Sequence, residues 1–134
     1  MLPTTRGNLA LKVYYVDFPV VDPASGISTT VIRGAWCAGQ QDKYWDYHKL
    51  AYAEQGSLSK NAPGTLAAKL GLNTRAFEAC MASAASLAYV EKATAFGRHY
   101  GVSSTPTFFL NGKRLSGAEI EQQIRGQLNQ SKSS

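Results

Sequence analysis

Cysteine is scarce in this sequence, and no two cysteines stand close together. Only Cys37 and Cys80 occur among the 134 residues, so there is no Cys-x-x-Cys. Exchange between thiols and disulfides requires a thiolate and a second thiol nearby that resolves the mixed disulfide. Both cysteines fall inside predicted helices, where the helix dipole does not stabilise a thiolate. We therefore expect neither of them to be a catalytic nucleophile.

Histidines and glycine-rich motifs are also too few to indicate a cofactor site. The two cysteines and the two histidines, His48 and His99, lack the close pairs that are typical of zinc ligands. Along a helix, His48 would lie about 16 Å from Cys37, too far for a catalytic pair. No Gly-x-Gly-x-x-Gly or phosphate-loop pattern occurs. We expect no metal, no nucleotide and no other cofactor.

The chain has no long hydrophobic run and no cluster of basic residues. No segment approaches the roughly 18 consecutive apolar residues of a membrane span, and the start, MLPTTRGNLALK, lacks the apolar stretch of a signal peptide. The net charge is +5, yet the 14 lysines and arginines are dispersed, and only Lys113 and Arg114 are adjacent. We therefore expect a solvated basic surface, no membrane span and no nucleic-acid partner.

The first half of the sequence predicts a strand followed by a long helix. A chain of 134 residues with 44% hydrophobic residues can bury one core of ordinary size. Residues 9–16 are mainly aliphatic, β-branched and aromatic, which predicts a strand covered on both faces. Residues 28–53 are typical of a helix that begins with Ser28 as its N-cap.

Further helices and a β-hairpin are predicted in the second half. Proline near a helix start, glycine just past a helix end and asparagine at an N-cap mark three helices. Asn-Gly between two strand-like runs predicts a tight hairpin, and an amphipathic helix follows it. The order of elements indicates an α/β domain with its helices concentrated in the middle. These signals lie at Pro63 and Gly71, at Asn73, at Ser86 and Gly101, at Asn111 and Gly112, and at residues 116–128.

Four stretches match one family of proteins in the family's own order. They are VYYVDFPV, GAWCAGQQDKYWDYHKLAYAEQG, AAKLGLNTRAFEACMAS and GVSSTPTFFLNGKRLSGA, and they cover nearly the whole chain. The chain resembles the DsbA-like branch of the thioredoxin-fold family. The resemblance implies an α/β, thioredoxin-like fold, with an inserted helical block at about residues 28–101 of a single domain over residues 1–134.

The resemblance also implies an activity and a location. The family transfers disulfides to and from protein or peptide thiols, in the periplasm or another extracytoplasmic compartment. Its members begin with a strand and a helix that carries Cys-x-x-Cys, and only then reach the strand that matches residues 9–16. That unit of about 30 residues is missing here. The chain thus resembles a truncated member, through a late start codon, the boundary of an expressed fragment or gene decay.

Two functions remain open on this basis. The first is a thiol-disulfide oxidoreductase, for protein disulfide formation or isomerisation, that is inactive alone because its Cys-x-x-Cys is absent. The second is a redox-inactive thioredoxin-like module that binds peptides as a chaperone or docking domain. The absent strand would lie between residues 9–16 and 107–110, so the resemblance also implies open sheet edges through which chains self-associate.

The family resemblance assigns a binding segment as well. Thr105-Pro106 matches the family's cis-proline, whose flanking backbone pairs with substrate peptide. The predicted substrate-binding residues are therefore Ser103, Ser104, Thr105 and Pro106. An ordinary trans proline at the start of a strand is the alternative.

A structural disulfide between helices is a further implication, since Cys37 and Cys80 match a second, non-catalytic cysteine pair of some relatives. Two free, buried cysteines are the alternative.

Aromatic residues are also frequent in the first helical stretch. We favour core packing for them over an aromatic binding face. These aromatic residues are Trp36, Tyr44, Trp45, Tyr47 and Tyr52.

Overall fold

The computed structural model describes residues 2–5, 12–19, 26–103 and 107–132. Helices dominate these residues, and none of the described helices combines the length and the apolar character needed to cross a membrane. The elements are β1 (Leu2–Thr5), β2 (Lys12–Tyr15), α1 (Ile27–Gly39), α2 (Tyr44–Ala53), a 3-10 turn (Gln55–Ser57), α3 (Ala62–Lys69), α4 (Thr74–Met81), α5 (Ala84–His99), β3 (Phe108–Leu110), β4 (Lys113–Leu115) and α6 (Gly117–Lys132).

The long helix predicted over residues 28–53 is two helices, so that prediction is wrong. The chain leaves α1 after Gly39, and Asp42 adopts a left-handed φ of 61°. The amide of Lys43 turns back and donates to the carbonyl oxygen of Ala38 at 2.9 Å. This reversal lays α2 against α1. Ser28 is not the N-cap of α1 either. The helix begins at Ile27, and its N-cap is Gly26, whose φ is 66°.

The later helices begin and end close to where the sequence predicts. The side-chain oxygen of Asn73 accepts a hydrogen bond from the amide of Ala76 at 3.0 Å, as an N-cap does. Gly71 and Gly101 have φ angles of 70° and 73° just beyond the ends of α3 and α5. The start of α5 differs, because Ser83 caps it and the helix begins two residues before the predicted Ser86.

The core lies where α1 meets the other helices. Helix α1 contacts α2, α3, α4 and α5, and is therefore the central element of the described fold. The phenol of Tyr47 is fully buried and donates to the carbonyl oxygen of Val31 at 2.9 Å. Core packing is thus correct for Tyr44 and Tyr47, whereas Tyr52 is exposed. The largest fully buried side chains are Tyr47, Phe77, Leu66, Cys37 and Ser86.

The described strands form two separate two-stranded antiparallel sheets. In the second, Phe108 lies opposite Leu115, and the strands turn through Asn111 and Gly112, whose φ angles are 50° and 83°. Positive φ at both central residues is the geometry of a type I′ hairpin, so the Asn-Gly prediction is confirmed.

The N-terminal sheet departs from the sequence prediction in two ways. Strand β1 was not expected, and it pairs with β2 so that Leu2 lies opposite Tyr15. Residues 9–11 of the predicted strand lie outside the described residues. Of the remainder, Tyr14 is 54% exposed and Tyr15 is half-buried, so β2 is not covered on both faces. Tyr15 contacts Tyr44, Trp45 and His48, and thereby sets β2 against α2.

Candidate functional site

A disulfide joins the two cysteines of the sequence. Cys37 lies in the last turn of α1 and Cys80 in α4, with their Cα atoms 5.8 Å apart and a sulfur–sulfur distance of 2.06 Å. Cys37 is 1% exposed and Cys80 is partly buried. An attacking thiolate cannot reach a sulfur that the core covers. The geometry therefore suits a link between helices, and it leaves no free thiol in the chain.

The predicted substrate-binding segment joins α5 to β3. The amide of Val102 donates to the carbonyl oxygen of Gly97 at 2.9 Å and closes the end of α5. Ser103, which follows, is exposed to solvent. The other predicted residues of this segment, Ser104, Thr105 and Pro106, lie outside the described residues, and so does the predicted cis peptide bond.

Aromatic residues that precede and follow residues 103–106 in the sequence form an exposed surface. Phe96 and Tyr100 on α5 have ring centroids 4.9 Å apart, and Tyr100 lies 6.0 Å from Phe109 on β3. The exposed fractions of Phe96, Tyr100 and Phe109 are 41%, 51% and 40%. We call these three residues the α5–β3 patch. Our sequence reasoning missed it, although Phe96 and Tyr100 have the four-residue spacing that places side chains on one helix face.

A buried carboxylate was also missed. Asp17 follows β2, is 5% exposed, and accepts hydrogen bonds at Oδ2 from the phenols of Tyr44 at 2.8 Å and Tyr89 at 2.7 Å. Burial raises the pKa of Asp17, and the two phenols and the nearby His48 offset this rise only in part. A carboxylate within the apolar run YYVDFPVV is the signal that indicates such a position. Through these two hydrogen bonds, Asp17 connects the segment after β2 to α2 and to α5.

His48 lies in a cage of aromatic rings on α2. Its ring centroid is 4.7 Å from that of Tyr15, 4.7 Å from that of Tyr52 and 5.5 Å from that of Trp45. Burial lowers the pKa of His48, and the charge of Asp17 opposes the shift. Within the described residues no group of three or more His, Cys, Asp or Glu side chains is arranged to hold a metal ion.

Comparison with known proteins identifies a family for almost the whole chain. A family model described as Thioredoxin matches residues 6–130. This confirms the thioredoxin-like part of the sequence interpretation, while the DsbA-like branch stays a prediction.

One curated relative is a much longer protein. Over 86 residues, which are 64% of this chain, the sequence is 33% identical to the Na(+)/H(+) antiporter NhaA of Herminiimonas arsenicoxydans. The match spans only 14% of the length of that antiporter. No solved structure matches the chain significantly.

Proposed function

The chain belongs to the thioredoxin family, and from that premise we propose that it is the substrate-binding portion of a DsbA-like thiol-disulfide oxidoreductase. In this proposal the chain holds a protein or peptide substrate, and the exchanging cysteines are not among its residues. The observation that carries it is the pairing of Cys37 with Cys80, which leaves no thiol for exchange.

The chemistry of exchange supports the inactive role of this disulfide. A substrate thiolate must approach one sulfur in line with the sulfur–sulfur bond, and the released thiolate must be stabilised. Cys37 is covered by the core, and Cys80 lies near the end of α4, away from the N-terminal end where a helix dipole stabilises a negative charge. The pair therefore holds α1 against α4 and does not exchange with substrate.

The binding role is assigned to residues 103–106, by the resemblance of Thr105-Pro106 to the family's cis-proline. The exposure of Ser103 beside the end of α5 supports an accessible backbone at this point. We propose an extracytoplasmic location, because disulfides persist in oxidising compartments and are rare in the cytosol.

A redox-inactive peptide-binding or chaperone module is the second candidate. The match to a short part of an antiporter favours it, because a domain within a transporter can serve as a docking element without catalysis. The in-frame coding sequence upstream distinguishes the two candidates. A strand, a Cys-x-x-Cys helix and a signal sequence there would establish the oxidoreductase, whereas their absence would leave the docking module.

Enzyme assays test the proposal on the protein itself. We expect that the chain neither reduces insulin nor oxidises a reduced model peptide faster than free cysteine does. The variants Cys37→Ser and Cys80→Ser separate the alternatives. Turnover that persists in one variant and disappears in the other would identify a catalytic cysteine and refute the proposal.

A further inference from the structure

Asn111 and Gly112 form the tip of the β3–β4 hairpin. Both residues are exposed, and their φ angles of 50° and 83° lie in the left-handed region. A Cβ added to Gly112 would meet no atom within 4 Å outside its chain neighbours, so nothing packs against the turn at this residue. Solvent therefore reaches the peptide bond that joins Asn111 to Gly112.

This pair of residues places a nucleophile next to an electrophile. When the amide nitrogen of Gly112 attacks Cγ of the Asn111 side chain, a succinimide ring closes. The attacking nitrogen loses its proton to water or hydroxide, and the side-chain amide leaves as ammonia. Water then opens the ring at Cγ to give aspartate, or at the main-chain carbonyl to give isoaspartate. The sequence consumes one water for each ammonia released and needs no oxidant, reductant or cofactor.

Glycine is the following residue that hinders this attack least. It has no Cβ beside the attacking nitrogen, and its backbone turns readily into the conformations that ring closure requires. Of the asparagines in the sequence, only Asn111 precedes a glycine. The other asparagines precede leucine, alanine, threonine and glutamine, and they are Asn8, Asn61, Asn73 and Asn129.

The structure holds Asn73 in place but leaves Asn111 free to move. The side-chain oxygen of Asn73 caps α4 by accepting from the amide of Ala76 at 3.0 Å, and the next residue, Thr74, is β-branched and already helical. Ring closure at Asn73 must first break this cap. Asn111 instead joins two strands of three residues each, and a two-stranded hairpin is only marginally stable by itself. Local opening of the hairpin therefore frees Asn111 while the helical core stays folded.

Positive charge beside the turn favours ring closure. The reaction passes through an anion, first at the attacking nitrogen and then at the oxygen of the tetrahedral intermediate. Lys113 follows Gly112 directly, and among the described residues neither Lys113 nor Arg114 forms an ion pair. No aspartate or glutamate occurs between Glu91 and Glu119. Cations close to a developing negative charge stabilise it, so the charges around the turn lower the barrier.

We infer that Asn111 is a site of spontaneous modification, at which deamidation converts the hairpin turn into aspartate and isoaspartate forms. The inference is independent of the proposed function. Isoaspartate carries the main chain through its β-carbon, which adds an atom to the backbone of the turn. The turn then no longer matches the register in which Phe108 lies opposite Leu115. The isoaspartate form therefore separates β3 from β4, and it disrupts the α5–β3 patch by moving Phe109 away from Tyr100.

Incubation of the folded, oxidised protein at mildly alkaline pH tests the inference. Released ammonia, labelling by isoaspartyl methyltransferase and mass spectrometry of proteolytic peptides give the site and the rate. We expect Asn111 to deamidate at least about tenfold faster than Asn73, whose cap must break first. The rate should rise with pH, because the attacking nitrogen must lose its proton. Equal rates at the two asparagines, or no isoaspartate at Asn111, would refute the inference.

Two substitutions at the turn test the route through the ring. Gly112→Ala strains a residue whose φ is 83°, but it is expected to slow deamidation about tenfold, because the added Cβ hinders the attack. Asn111→Gly keeps two residues that accept positive φ and should release neither ammonia nor isoaspartate from this peptide. Deamidation of Gly112→Ala at the rate of the wild type would contradict the proposed chemistry.

A pair of destabilising variants tests whether local opening is sufficient. Leu115→Ala removes the buried side chain of β4 and should speed deamidation by about threefold or more, whereas Gly34→Ala loosens the helical core and should change the rate by less than about twofold. Equal acceleration in both would show that the reaction follows global unfolding and would refute the role of the hairpin. Amide exchange then compares fresh and aged protein. Amides of β3 and β4 that stay equally protected in the isoaspartate form would show that the strands do not separate.

Discussion

The phenol of Tyr89 donates a hydrogen bond to Oδ2 of Asp17 at 2.7 Å, across 72 residues of sequence. Tyr44 donates to the same oxygen at 2.8 Å. These two hydrogen bonds hold the segment after β2 against α5 and α2 through one buried oxygen atom, Oδ2 of Asp17. Two neutral donors satisfy a carboxylate that no lysine or arginine side chain pairs with among the described residues.

Removal of one donor is expected to destabilise the protein. Tyr89→Phe keeps the ring that stacks on Trp36 but leaves Asp17 with one phenol, so we expect the free energy of unfolding to fall by about 1 to 3 kcal/mol. Tyr100→Phe, at an exposed ring, is the control and should change it by less than about 0.5 kcal/mol. Urea denaturation followed by circular dichroism measures both. Equal effects of the two variants would contradict the role assigned to this hydrogen bond.

The same carboxylate should make stability depend on pH. Burial raises the pKa of Asp17 above its ordinary value of 3.8, so the folded state holds the proton more tightly than the unfolded state does. Its contribution is therefore fully present below pH 3.8 and is lost as the pH rises through the folded-state pKa. We expect Asp17→Asn to gain stability relative to wild type as the pH rises, in denaturation curves measured from acid to neutral pH. A difference that does not change with pH would contradict this.

His48 is expected to make stability depend on pH in the opposite direction from Asp17. Burial lowers its pKa below the ordinary 6.5, so the folded state releases the proton more readily than the unfolded state does. Its contribution is present above pH 6.5 and is lost as the pH falls through the folded-state pKa. His48→Gln should therefore weaken the loss of stability on acidification below pH 6.5. If His48→Gln lost as much stability below pH 6.5 as the wild type does, this would show that the aromatic rings around His48 do not shift its pKa.

Gly34 should tolerate no side chain. A Cβ at this position would lie 2.1 Å from Oη and 2.7 Å from Cζ of Tyr47, whose ring is fully buried. Gly34→Ala is expected to lower the free energy of unfolding by about 1 to 3 kcal/mol, as overpacked cores do. Gly64→Ala in α3 meets no atom within 4 Å, so it should leave stability unchanged or raise it by up to about 1 kcal/mol. Thermal unfolding of both variants decides between these outcomes.

The disulfide should stabilise the fold and remain closed in air. Counting thiols on denatured protein is expected to give none before reduction and two after it. The bond closes a sequence separation of 43 residues, so chain-entropy reasoning assigns it up to about 4 kcal/mol. Cys37→Ala with Cys80→Ala should lower the unfolding temperature of the oxidised protein to that of the reduced one. Two free thiols after air oxidation would show that the cysteines are unpaired in solution.

Sequence reasoning succeeded where structure depends on a few neighbouring residues. Asn111 and Gly112 form the predicted hairpin turn, because their left-handed conformations are needed whatever surrounds them. Asn73 caps α4 through its own side chain. The order of four stretches along the chain also identified the thioredoxin-like family that the family model confirms.

Only the tertiary structure decided which residues share a surface or a buried contact. Helical periodicity continues through residues 40–43, but the chain reverses there so that α2 can pack on α1, a gain in burial that no local pattern reveals. The sequence does not show that the phenol of Tyr89, 72 positions away, donates a hydrogen bond to the carboxylate of Asp17. Phe109 contacts Tyr100 only in the folded chain, where β3 lies beside the end of α5. Turns and caps are determined by bonds within a few residues, whereas burial and surface chemistry arise from contacts that the chain forms only when it is folded.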